Sequence, residues 1–90
     1  MKFIIETENQ YSPPEKSQKE MYDKYYKKEG WLFSKEADAI YYEVDIPFMP
    51  HIGQMLGTKE GISIVKWAIY ELDPKGDSFF DKSRIIIRDQ

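Results

Sequence analysis

Ala39-Ile40-Tyr41-Tyr42-Glu43-Val44-Asp45-Ile46-Pro47-Phe48-Met49-Pro50 contains the two signals that decide the fold. From Ala39 to Ile46 the residues alternate, with Ile40, Tyr42, Val44 and Ile46 on one side and Tyr41, Glu43 and Asp45 on the other. Period-two alternation is the pattern of a strand with one face on a core and the other toward water. Pro47 and Pro50 then end it, because proline cannot donate to a strand ladder. The chain must bend or leave the sheet at this corner.

Upstream, Trp31-Leu32-Phe33 is a short apolar run placed to pair with that strand as a hairpin across Ser34–Asp38. Before it, Ser12-Pro13-Pro14-Glu15 combines an N-cap Ser, a Pro at the first helical position and a Glu two residues further on. These signals predict a helix from Pro13 to Glu29, closed by Gly30. Met21, Tyr22, Tyr25 and Tyr26 share one side of that helix, the side expected to pack on a sheet. Met1–Thr7 reads as a first strand, with Phe3, Ile5 and Thr7 on one face.

Downstream, Gln54-Met55-Leu56 reads as a short strand and Gly57–Gly61 as a turn. Ile62–Leu72 is the longest β-type run, and its apolar phase slips at Ile64–Val65, which predicts a bulge or bend. Asp73–Asp77 has turn composition, and Ser83–Arg88 closes the chain as a strand with Ile85 and Ile87 inward. The expected architecture is one α+β domain over residues 1–90. It has an N-terminal strand and one amphipathic helix packed on a bent antiparallel sheet of about four or five strands, which can close partly into a small barrel.

Composition narrows the function classes. The chain has no cysteine, which excludes disulfides and thiolate metal sites. Its N-terminal stretch lacks a signal-peptide h-region and no segment has the length of an apolar span, so a cytoplasmic protein off the membrane is expected. A net charge of −3 argues against phosphate-driven nucleic-acid binding.

No nucleophile elbow, phosphate loop or metal-binding spacing is present, and the one histidine is His51. No cofactor is expected, and the weight falls against an enzyme. Glu43 and Asp45 share a strand face, so with His51 they form the best available metal or ligand set, and a small metal- or ligand-dependent enzyme is the alternative function. Lys66 and Trp67 are the candidates for single-strand nucleic-acid binding, the second alternative.

The leading expectation is a non-enzymatic interaction protein that binds a protein partner or itself. Phe48-Met49 at the proline corner and Phe79-Phe80 in a polar loop are large apolar residues that either plug the core or form an interface.

The segment Val44-Asp45-Ile46-Pro47-Phe48-Met49-Pro50-His51-Ile52-Gly53, followed by Ile64–Ile69, resembles a pattern in short uncharacterised proteins of bacteria and their phages or mobile elements. Those carry a Pro-Phe-x-Pro-Arg-x-Gly segment between strands. His51 stands here where the arginine is usual. The resemblance covers about a third of the chain and implies a small β-rich accessory protein, with no activity attached.

Overall fold

Two continuous apolar runs, Phe3-Ile4-Ile5 and Ile85-Ile86-Ile87, form the central strands of the sheet; the first is buried on both faces, and the second buries Ile85 and Ile87 on one face and leaves Ile86 half-buried on the other. The structure is a computed structural model describing residues 2–11, 17–73 and 76–89. Its strands are β1 (Lys2–Thr7), β2 (Leu32–Ser34), β3 (Ala39–Asp45), β4 (Met55–Thr58), β5 (Gly61–Ile69) and β6 (Arg84–Asp89). They lie side by side in the order β2-β3-β1-β6-β5-β4. β1 pairs antiparallel with β3 and parallel with β6, and all other neighbours are antiparallel.

The α+β class therefore holds, and three details of the expected sheet do not. Among the described residues there are six strands rather than four or five, the sheet is mixed rather than antiparallel, and it is open, with β2 and β4 at its edges. Insertion of β1 between β3 and β6 causes the first two differences. The sheet nevertheless curls steeply. Three strands separate β3 from β4, yet the Tyr42 hydroxyl on β3 accepts from the Lys59 amide just after β4, at 3.4 Å.

The concave side holds the main core: Phe3, Ile5, Trp31, Ile40, Tyr42, Val65, Ile85 and Ile87. The helix covers part of it. The expected cap at Ser12 and start at Pro13 lie outside the described residues. Within them, Ser17 caps α1 (Gln18–Met21), its hydroxyl accepting from the Glu20 amide at 3.2 Å. A π-helical turn at Tyr22–Tyr26 and a 3₁₀ turn at Lys27–Glu29 follow, ending at Gly30 with φ of 85°. The wide turn splits the expected tyrosine stripe. Tyr22 and Tyr26 face the core with Met21, and Tyr25 turns out to solvent. The Trp31 ring meets Tyr26 and Tyr42 edge-on, at 5.2 and 4.7 Å between centroids. Among the described residues no helix is long and apolar enough to cross a membrane.

β1 stops pairing with β3 at Glu6, and the buried side chain of Gln10 continues the ladder. Its amide oxygen accepts from the Ile40 N–H at 2.7 Å, and its NH₂ donates to the Ile40 carbonyl at 2.9 Å. The side-chain amide thus satisfies backbone groups that would otherwise be buried without partners.

β5 contains the predicted irregularity, displaced by one or two residues. Val65 faces Ile87 and Trp67 faces Ile86, so Lys66 is the extra residue of a bulge. That insertion inverts the alternation. Ser63 and Val65 point to the concave core, whereas Trp67 and Ile69 emerge on the opposite face.

Candidate functional site

The opposite face of the sheet is where the bulge leaves its mark. The register aligns Leu32, Tyr41, Glu6, Ile86 and Trp67 in one row across five strands. Beside it run Ile4, Arg84 and Ile69 in a second row, and Arg88, Ile64 and Met55 in a third.

A segment between β5 and β6 covers the β3–β1 half of this face. Phe79 is buried there with Ile4 and Ala39, its ring 5.3 Å from that of Tyr41. The loop is tied down at Glu36, whose carboxylate accepts from the Ser78 hydroxyl at 2.5 Å and the Phe79 amide at 3.4 Å. Beneath it lies Glu6, fully buried, with Arg84 Nη1 at 3.5 Å. The Arg84 guanidinium lies 5.6 and 5.9 Å from the Phe79 and Phe80 ring centroids, so it links the buried carboxylate to the loop aromatics.

The β6–β5–β4 half is uncovered. Trp67 is 58% exposed, Ile62 62% and Met55 57%, with Ile69 also exposed and Ile64 and Ile86 half-buried. Together the four exposed side chains present on the order of 500 Å², at the upper end of what monomers show as one apolar patch. Arg88 stands exposed within it, and Lys66 lies at the bulge. These three strands place no carboxylate on this side, since Asp89 aligns with Ser63 and belongs to the concave face. The patch is basic in a chain whose net charge is −3.

No protein-family model, curated protein or solved structure matches the chain.

The structure divides each apolar pair singled out in the sequence. Met49 packs against the main core while Phe48 stands half-exposed at a cleft rim. Phe79 is buried and Phe80 is exposed. Glu43 is bound to Lys82 at 3.3 Å and lines a depression of about 310 Å³ with Glu71, Asp81 and Lys82. Asp45 aligns with Lys2 at the end of β3. His51 is exposed in a turn where its amide donates to Gln54 Oε1 at 3.0 Å. Among the described residues no group of three or more His, Asp or Glu stands together as a metal site. The sequence singles out Trp67 and Lys66 as a nucleic-acid candidate, but the apolar patch around Trp67 becomes visible only once the bulge and the register place Ile62, Ile69 and Met55 beside it.

The concave face has its own gap, a cleft of about 370 Å³ between β3 and β4 lined by Ile5, Val44, Ile46, Leu56, Phe48 and Lys59. Just beyond, Glu60 receives a hydrogen bond from the Thr7 hydroxyl at 3.3 Å. Burial pushes the Glu60 carboxyl up to about 7, and the hydrogen bond and charge of Asp89 reinforce the shift. Burial, followed by the charges of Glu60 and Asp89, also raises the Tyr26 phenol.

Proposed function

We propose that the chain is a protein-binding module whose contact surface is the open face of β4, β5 and β6, and that its partner presents an apolar surface flanked by carboxylates. The observation that carries this is the exposed Trp67, held at the centre of an apolar patch by a bulge. A flat aromatic anchor ringed by aliphatic residues is the composition that concentrates binding energy in protein interfaces. Charge selects the partner. Arg88 and Lys66 would meet no carboxylate if a second copy docked face to face, so complementarity favours an acidic partner of another kind.

The test compares immobilised wild type with Trp67→Ser and Arg88→Glu, followed by cross-linking of the retained protein. Both positions are exposed, so the thermal midpoint should hold in both variants. The expected result is a salt-sensitive partner, cross-linked through carboxylates to β5 or β6, that binds each variant about tenfold more weakly, or about 1.4 kcal/mol. Retention indifferent to both substitutions overturns the proposal. A homodimer lost in Trp67→Ser would reassign the face to a second copy.

A further inference from the structure

We infer that the cleft between β3 and β4 is a binding site for a linear amphiphile with an anionic head, a medium-chain carboxylate. This site lies on the concave face and is independent of the protein-binding reading.

The cleft exists because the sheet curls without closing. β3 forms one wall through Tyr42 and Val44, β4 the other through Leu56 and Gly57, and Ile5 of β1 contributes to the lining. The helix covers the core over Trp31 and Phe33 and leaves this end open. At about 370 Å³ the space is of small-molecule size, and such pockets favour apolar walls with a few fixed polar groups. Val44, Ile46 and Leu56 are only partly buried, so an apolar chain would complete the withdrawal of their surface from water.

Polarity is confined to one end. Thr58 and Lys59 lie there with the Tyr42 hydroxyl, while Ile46 and Phe48 are apolar. The Lys59 ammonium is positioned twice over: it donates to the Glu29 carbonyl at 3.2 Å and sits 5.5 Å from the Tyr42 ring centroid. Neither contact neutralises its charge, since one partner is a carbonyl and the other a ring. An ammonium has three donors, so a carboxylate head can be received without breaking the bond to Glu29. An apolar tail would run from Lys59 past Leu56 and Val44 toward Ile46, with Phe48 over its end.

The experiment titrates isotope-labelled protein with dodecanoate below its micelle concentration and follows backbone amide shifts, with dodecanol as the uncharged control. Saturable shifts at Val44, Ile46, Leu56 and Lys59 are expected. Lys59→Met should weaken dodecanoate about tenfold and leave dodecanol unchanged, and Val44→Trp should fill the cleft and abolish both. Thermal midpoints of the variants establish that they remain folded, and Lys59→Gln serves as a second test should Lys59→Met not. Absence of saturable shifts overturns the inference. So do shifts confined to Trp67 and Ile62 on the opposite face, or a dodecanoate affinity in a folded Lys59 variant equal to that of wild type.

Discussion

Arg84→Met is expected to lower the free energy of unfolding by about 3 kcal/mol, because it leaves the buried carboxylate of Glu6 without the guanidinium beside it. The methionine retains enough length and apolar surface to lie against Phe79 and Phe80, so the loss isolates charge from packing. Glu6 is withdrawn completely from solvent in the middle of a sheet, which is tolerable only with charge and hydrogen-bond compensation. Replacing the pair, as Glu6→Met with Arg84→Met, should recover most of the loss, since two apolar side chains of similar size carry no desolvation penalty. Urea unfolding of the wild type, the single variant and the double variant provides the measurement. A single variant within about 0.5 kcal/mol of wild type would show that other groups hold Glu6, and would remove Arg84 from its assigned role.

The position of that ion pair shows where reading the sequence stops. Alternation made β3 legible, and Gly30 marked the helix end through the left-handed conformation it adopts. Ile85 and Ile87 were legible as inward residues. The consecutive apolar residues of Phe3–Ile5 and Ile85–Ile87 also carry the signature of strands buried on both faces, but which strands they join is a long-range fact. Local pattern has no access to a parallel pairing that spans almost the whole chain. Glu6 follows such a run and looks like an ordinary outward residue until its burial beside Arg84 is seen.

Trp67 marks the other limit. The phase slip in β5 is visible in the sequence, but a one-residue displacement of the bulge decides which face receives every later side chain. With the extra residue at Lys66, Tyr70 turns toward Phe3 on the concave side, and Trp67 and Ile69 turn outward. One residue type, tryptophan, thus ends as core at Trp31 and as surface at Trp67, the second through one inserted position. The corner at Pro47–Pro50 was legible as a corner, whereas the burial of Met49 and exposure of Phe48 depend on the sheet curling beneath it.

That curl also brings Glu60 against Thr7 and Asp89, and it makes stability depend on pH in a direction opposite to that of an ordinary salt-bridged carboxylate. In the folded chain the Glu60 carboxyl titrates at about 7, against an ordinary value of 4.5. A raised carboxyl favours folding when protonated, so its contribution is fully present below about pH 4.5 and is lost as pH rises through about 7. For a fully buried group the shift would correspond to about 3 kcal/mol. Glu60 is only half-buried, and screening by solvent reduces this to about 1–2 kcal/mol. Wild type should therefore lose that much more stability between pH 5 and pH 8 than Glu60→Gln, whose side chain can still accept from Thr7. Because the hydrogen bond and charge of Asp89 help to raise the Glu60 carboxyl, Asp89→Asn should flatten the same window. Denaturant midpoints across pH 5 to 8 decide the matter. Parallel pH profiles for wild type and Glu60→Gln would mean that the carboxyl stays ionised throughout, which requires the β4–β5 turn to hold Glu60 away from Asp89 and in water.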